Sequence, residues 1–354
     1  MIPELGTIEG FYGRPWDWAA RAAHVSALAP HGYRFFLYAP KADAFLRRRW
    51  AEPHPADEVR QLSNLAAHCR AEGVRFGVGL SPYELYLDFD EAAREALAQK
   101  LRWLDEIGID DLAILFDDMR GDLPGLAEKQ IEIVDCAAER TKAGRLIVCP
   151  SYYTDDPVLD RVFGQRPEGY LEALGKGLDP AIEIFWTGPR VCSTEMPADH
   201  LARVTETLKR RPFIWDNYPV NDGQRMSPFL HLRAFTGRPA EAGQHMSAHG
   251  VNPASQPMLS RIPMLSLETV YGVGTYDSNA AFLAAAETIC GAELAQMLAE
   301  DLPLMQDKGL NGMDEKETAA LRNRYAAVDH PCASEIVQWL DGYWEITDEI
   351  VQTQ

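Results

Sequence analysis

The sequence predicts an α/β protein: a (β/α)8 barrel of the TIM type followed by a C-terminal helical segment. Short apolar runs alternate with longer amphipathic stretches, the pattern of β-α repeats around a parallel sheet. Eight such units fit within roughly 250 residues, the usual extent of this barrel. From about Pro257 onward the strands stop and the pattern is helical to the end. The chain of 354 residues therefore divides into a barrel over 1–256 and C-terminal helices over 257–354, packed on the barrel or forming an oligomer contact.

The eight strands are read at Leu5 to Gly10, Phe35 to Ala39, Arg75 to Leu80, Asp111 to Phe116, Leu146 to Pro150, Ile182 to Trp186, Pro212 to Trp215 and His245 to His249. The last has little β character and is placed by the need for closure. Helices are read at Asp90 to Ile107, where Ala93, Leu97, Leu101 and Leu104 recur at helical spacing, and at Leu126 to Thr141. An open doubly wound sheet is the competitor. A nucleotide-binding sheet of that kind would carry a glycine fingerprint, and neither G-x-G-x-x-G nor G-x-x-x-x-G-K-S/T is present. Further helices are read at Asn279 to Cys290, Glu293 to Asp301, Asp314 to Val328 and Ala333 to Val351. In the last, Ile336, Trp339, Tyr343, Ile346 and Ile350 step by three and four residues. That apolar face needs cover, from the barrel or from a second copy in a homodimer.

Composition narrows the partners. With 46% apolar residues the chain can bury a large core. A net charge of -19 with 34 Lys plus Arg offers no footprint for a phosphate backbone or an anionic membrane. The start Met1-Ile2-Pro3-Glu4-Leu5 lacks the basic residues and apolar core of a secretory signal, and no run of about 18 apolar residues follows, so a cytoplasmic chain starting almost at its first strand is expected. Six cysteines lie scattered without C-x-x-C spacing, which suits reduced, mostly buried thiols, with Cys149 and Cys192 read as core. The nine histidines form neither H-x-H nor H-E-x-x-H, so no metal and no cofactor is expected; His245 and His249 read as surface or hydrogen-bonded side chains.

The groups at the strand ends converge on one mouth in such a barrel. They read Glu9-Gly10-Phe11-Tyr12-Gly13, Tyr38-Ala39-Pro40-Lys41, Ser81-Pro82-Tyr83, Asp117-Asp118, Cys149-Pro150-Ser151-Tyr152-Tyr153, Trp186-Thr187-Gly188-Pro189 and Trp215-Asp216-Asn217. Carboxylates, a lysine, amides and aromatic rings together suit a sugar, whose faces stack on rings and whose hydroxyls take hydrogen bonds. The neighbouring pair Asp117 and Asp118, at the end of the apolar run Leu112 to Phe116, is costly to ionise together and points to chemistry; the plain alternative is a helix N-cap pair. Adjacent carboxyls cannot flank a glycosidic bond at the roughly 5 Å or more that an acid and a separate nucleophile need. They suit substrate assistance, in which the 2-acetamido oxygen of the sugar attacks the anomeric carbon, one aspartate polarises the acetamido N–H and the other serves as acid and then base.

These residues resemble glycoside hydrolase family 84, the O-GlcNAcase and β-N-acetylglucosaminidase family. The likeness runs from Ile8-Glu9-Gly10-Phe11-Tyr12-Gly13-Arg14-Pro15-Trp16 through Tyr38 to Lys41, Leu115 to Asp118, Trp186 to Pro189 and Ile214 to Asp222 to Asn252-Pro253. The resemblance implies a retaining enzyme without a cofactor that removes N-acetylglucosamine from a protein or a glycan. It implies that Asp117 holds the acetamido N–H and Asp118 is the general acid and base. It further implies that the Gly10 carbonyl approaches a sugar hydroxyl, that Lys41, Asp222 and Asn252 bind hydroxyls, and that Tyr153 rather than Tyr152 supports the acetamido oxygen. Asn217 stands beside the pair, and Trp215 and Thr187 wall the acetamido pocket. Lys41-Ala42-Asp43 replaces the usual K-D-D and Ser81-Pro82-Tyr83-Glu84 replaces S-P-G, so the aglycone stays open. The alternatives are a catalytically quiet sugar-binding barrel and a hexosaminidase of cell-wall or host glycans.

Overall fold

Eight short runs of buried residues form a closed, all-parallel barrel in a computed structural model that describes residues 2–272 and 274–346. The strands are β1 (Glu4–Glu9), β2 (Tyr33–Tyr38), β3 (Arg75–Leu80), β4 (Asp111–Leu115), β5 (Arg145–Cys149), β6 (Glu183–Trp186), β7 (Phe213–Asp216) and β8 (Ala248–Val251). They pair in chain order, and β8 returns to β1. Parallel strands covered outside by helices and filled inside by side chains are apolar on both faces. That is why they read as continuous hydrophobic runs; every residue of β4 is buried.

The weak eighth strand lies about three residues beyond its expected place. Ala240–His245 forms a 3-10 turn, and the strand begins at Ala248. Pairing sets its position: His249 sits opposite Leu5 of β1 and Ile214 of β7. His249 is fully buried, with Nε2 3.0 Å from Asp216 Oδ2 and Nδ1 2.8 Å from the Tyr271 hydroxyl.

Helices over the barrel start and stop where side chains satisfy their ends. Asp90 accepts the Ala93 amide at the head of Glu91–Ile107, and Gly108, at φ 89°, ends it in the left-handed region. Leu97, Leu101 and Leu104 are buried under that helix. The helix expected to reach Thr141 is Leu126–Ala138. Arg261–Val270 follows β8 and packs on Trp18–Leu28, so a division at 256/257 falls ahead of the helix that closes the outer ring.

Beyond the ring run the helices Ser278–Cys290, Ala292–Leu302, Glu315–Ala326 and Pro331–Leu340. The apolar face of the last one is covered by the chain itself. Ile336, Trp339 and Ile346 are buried, the Trp339 indole donates to the Ser227 carbonyl at 3.2 Å, and Glu335 accepts the Met258 and Leu259 amides at 2.9 Å each. Tyr343 alone of the described face stays exposed; Ile350 and Val351 lie outside the described residues. No helix among the described residues is long and apolar enough to cross a membrane.

Candidate active site

β4 delivers the acid pair. Pairing continues one residue past the strand, the Phe116 amide donating to the Cys149 carbonyl at 2.9 Å, and the chain then leaves the sheet. Side chains of consecutive strand residues face opposite ways. Asp118, at φ 55°, breaks that alternation in the left-handed region, a conformation aspartate tolerates better than most residues. Both carboxylates thereby line one cavity of about 150 Å³ at the carboxyl ends of the strands. Neither acts as an N-cap here: the next helix, Leu126–Ala138, begins after Gly125.

All ten residues expected at the site line this cavity: Gly10, Lys41, Asp117, Asp118, Tyr153, Thr187, Trp215, Asn217, Asp222 and Asn252. The buried Lys41 ammonium pairs with Asp117 Oδ2 and lies 3.7 Å from Asp118 Oδ2. Burial opposes the lysine's charge, yet the two aspartates outweigh it and hold its pKa above the usual value. Asp117 Oδ1 is buried with no hydrogen-bond partner among the described residues. An acceptor left bare in this way costs free energy unless a ligand supplies a donor.

Asp118 is surrounded by donors. The Tyr12 hydroxyl gives a 2.6 Å hydrogen bond to Oδ2 and the Tyr153 hydroxyl a 3.2 Å bond to Oδ1. Arg47 in turn donates to the Tyr12 oxygen at 3.1 Å and to the Asp118 carbonyl at 3.4 Å. Burial would raise the Asp118 pKa, but Lys41, the Tyr12 bond, Arg47 and the Tyr153 bond hold it below the usual carboxylate value. Tyr12 stands at a strand end in the sequence with no role to be read from it, because nothing in a sequence shows where its hydroxyl points.

The opposite wall is built from amides. Asn252 Oδ1 accepts the Gly10 amide at 3.3 Å, and its Nδ2 donates to Asn217 Oδ1 at 2.9 Å. Asn217 Oδ1 also accepts the Trp215 indole N–H at 3.0 Å, while its Nδ2 donates to the Val191 carbonyl at 2.9 Å. A Cβ on Gly10 would stand 2.2 Å from Trp215 Cζ2, so the glycine makes room for the indole itself. Asp222 accepts the Tyr12 amide at 2.8 Å, and burial pushes its carboxyl up to about 6. The Thr187 hydroxyl is turned to backbone, donating to the Arg190 carbonyl at 2.9 Å.

Beneath Trp215 and Asn217 lies a support the sequence did not disclose. Asp216 is fully buried and takes two hydrogen bonds from Arg238, at 2.7 and 2.9 Å, besides its contact with His249. This charge-assisted fork fixes the end of β7 between two cavity residues.

Other expectations sort by position. Tyr152 turns away and donates to the Gly164 carbonyl at 2.6 Å, whereas Tyr153 lines the cavity. Trp186 is core, its indole donating to His200 at 3.1 Å. Cys149 is buried with its thiol pushed up by burial, but Cys192, expected in the core, is exposed on the loop after β6 and lines the cavity lip. Asp43 accepts the Phe45 amide at 2.9 Å and the Leu46 amide at 3.3 Å; neither it nor Glu84 lines the cavity. Asp43, His54 and Glu58 bring possible metal-ligand atoms within 4.8 Å of one another, away from the cavity.

Comparison with known proteins agrees with this fold. The family model described as beta-N-acetylglucosaminidase matches residues 5–301. The Protein O-GlcNAcase of Mus musculus and that of Rattus norvegicus are each 30% identical over 276 residues, 75% of this chain and 30% of theirs. The chain thus spans under a third of the length of these relatives. Among solved structures, a mutant of the Thermobaculum terrenum O-GlcNAc hydrolase superposes with a TM-score of 0.79 at 27% identity, covering 98% of this chain and 82% of that one. CpGH84B, at 23% identity, has a TM-score of 0.78 over 96% of this chain and 66% of its own, a likeness of fold.

Proposed function

The chain belongs to the β-N-acetylglucosaminidase family, glycoside hydrolase family 84, and from that premise we propose that it releases terminal β-linked N-acetylglucosamine, with retention, by substrate-assisted catalysis. The observation that carries the reading is the bare Oδ1 of Asp117 beside an Asp118 hydrogen-bonded at both oxygens in one cavity.

Asp117 accepts the acetamido N–H through Oδ1 while Lys41 holds Oδ2. This orients the acetamido carbonyl beneath the anomeric carbon and raises its nucleophilicity. The carbonyl oxygen bonds to that carbon as the glycosidic bond breaks, Asp118 passes its proton to the departing oxygen, and the positive charge on the cyclised amide is balanced by Asp117. Water then gives a proton to the Asp118 carboxylate and attacks the anomeric carbon, the ring opens, and the configuration is retained. Lys41, Tyr12, Arg47 and Tyr153 favour the carboxylate form of Asp118; a sugar that takes up the lysine's hydrogen bonds and excludes water weakens what stabilises the carboxylate, favouring the protonated acid that the first step needs. Trp215 and Thr187 wall the acetamido methyl, and Asp222, Asn252 and the Gly10 carbonyl meet the hydroxyls. The substrate class is an N-acetylglucosaminide, including one carried on serine or threonine of a protein.

A leaving-group series tests the acid. Asp118→Ala retains most turnover of an aryl N-acetylglucosaminide with a good leaving group and loses about 10²- to 10⁴-fold on one with a poor leaving group, since only the latter needs protonation. Equal losses on both would count against the assignment.

A further inference from the structure

Two cysteines far apart in sequence meet outside the barrel. Cys290 is the last residue of the helix Ser278–Cys290, and Cys332 lies in the first turn of Pro331–Leu340. The Cys332 thiol hydrogen-bonds the Cys290 sulfur, and the Cys290 thiol in turn donates to the Ala286 carbonyl at 3.0 Å. Their exposure differs: Cys332 is fully buried, whereas Cys290 is half-buried. We infer that this pair is a site of reversible disulfide formation, driven by a small disulfide of the glutathione type, with Cys290 the attacking and Cys332 the resolving sulfur. The inference goes beyond the glycosidase reading and stands independently of it.

The asymmetry of the pair assigns the order of events. An attacking thiol needs access and a stabilised thiolate, and its resolving partner needs only to stand beside it. Cys290 has the access, and the hydrogen bond from Cys332 favours its thiolate, holding its pKa below the usual thiol value. That same bond, burial and the nearby Glu335 carboxylate keep Cys332 protonated, with Arg261 opposing them. The Cys290 thiolate attacks one sulfur of the oxidant, giving a mixed disulfide and one free thiol. Cys332 then loses its proton at the amino end of a ten-residue helix, where a thiolate is favoured, and displaces the second thiol from Cys290. Two protein thiols are oxidised to one disulfide, and one small disulfide is reduced to two thiols. Both helices are already anchored: Ser278–Cys290 packs on Arg261–Val270, and Glu335 of the other accepts the Met258 and Leu259 amides. The new bond closes the stretch that holds Ala292–Leu302 and Glu315–Ala326, which restricts the unfolded chain and fastens the helical tail.

The test uses the full chain with its native cysteines. It is incubated with oxidised glutathione, the remaining thiols are alkylated, and peptide mapping reads which cysteines are free, glutathionylated or joined. Expected is a cross-link between the peptides carrying Cys290 and Cys332, reversed by dithiothreitol, in a chain that melts about 4 °C or more above the reduced one. Cys332→Ser stops at the first stage and keeps glutathione on Cys290, while Cys290→Ser leaves Cys332 unmodified. A parent chain that keeps glutathione on Cys290 without the cross-link overturns the proposal, as does a Cys290 left unmodified or a cross-link from either cysteine to a different one. A cross-linked chain that melts no higher than the reduced form overturns the fastening of the tail. The map is made on the parent, so the result does not hang on either variant folding.

Discussion

The two ends of the barrel both gather charge, and they do it differently. At the amino ends, Glu4, Arg75, Asp111, Arg145 and Glu183 are the first residues of β1, β3, β4, β5 and β6. Arg75 donates to Glu4 at 2.7 and 2.9 Å and to Asp111 at 3.0 and 3.1 Å, and Arg145 bonds Glu4 at 2.9 Å and pairs with Glu183. Each acid there has an arginine. At the carboxyl ends one lysine faces two aspartates, one carboxylate oxygen has no partner, and a third acid, Asp222, is held by little more than a backbone amide. Matched charges plug a barrel; unmatched ones wait for a ligand. Every carboxylate at the first end meets a guanidinium, although burial still holds Asp111 above the usual carboxylate value, whereas at the second end Asp117 Oδ1 and Asp222 meet no cation of their own among the described residues.

The contrast breaks most sharply at Asp117. Replacing it with alanine removes the bare acceptor, and turnover of good and poor leaving groups alike falls about 10³-fold or more in initial-rate assays. A loss confined to poor leaving groups would exchange the roles of the two acids.

Asp222→Asn tests the third acid, with an expected rise in KM of about 10- to 100-fold. In the parent, KM rises as pH falls through about 6, where this carboxyl takes up its proton. The linkage has a definite sign. A carboxyl raised in the folded state is most compatible with folding when protonated, so its contribution falls as pH climbs from the ordinary carboxylate range toward 6. The asparagine variant is therefore more stable than the parent by about 1 to 3 kcal/mol at pH 7, and the difference vanishes near pH 4 in thermal melts.

A smaller effect follows from Tyr12→Phe. Losing the 2.6 Å bond raises the Asp118 pKa, so the basic limb of kcat/KM on a poor leaving group moves up by about one pH unit while the rate at its optimum changes a few-fold. An unmoved limb would detach Tyr12 from the titration. At the other end, Arg75→Leu costs about 1 to 2 kcal/mol of stability, discounted because the guanidinium is 37% exposed, and leaves kcat/KM unchanged for the folded fraction. A change in rate there would erase the contrast.

How much of this was legible depends on range. Strands such as Arg75 to Leu80 announce themselves by composition, and the cavity residues sit in recognisable words at strand ends. β8 was misplaced because Ala248-His249-Gly250-Val251 has weak propensity and takes its register from two neighbours far away in sequence. The Asp216–Arg238 fork and the Tyr12–Asp118 bond join residues 22 and 106 positions apart, and no local pattern records such pairings. The apolar stripe around Trp339 was visible, and cover by the barrel or by a second copy was the expectation; which of the two supplies it was not legible, since periodicity shows that a face needs burying and is silent about what buries it.

Gly10 and Trp215 occupy one volume between them, and this restricts how the site could be altered stepwise. A side chain gained first at position 10 evicts the indole and collapses the amide wall, whereas trimming Trp215 first opens space that position 10 can later fill. Substitution at this wall therefore has one passable order, beginning at the tryptophan.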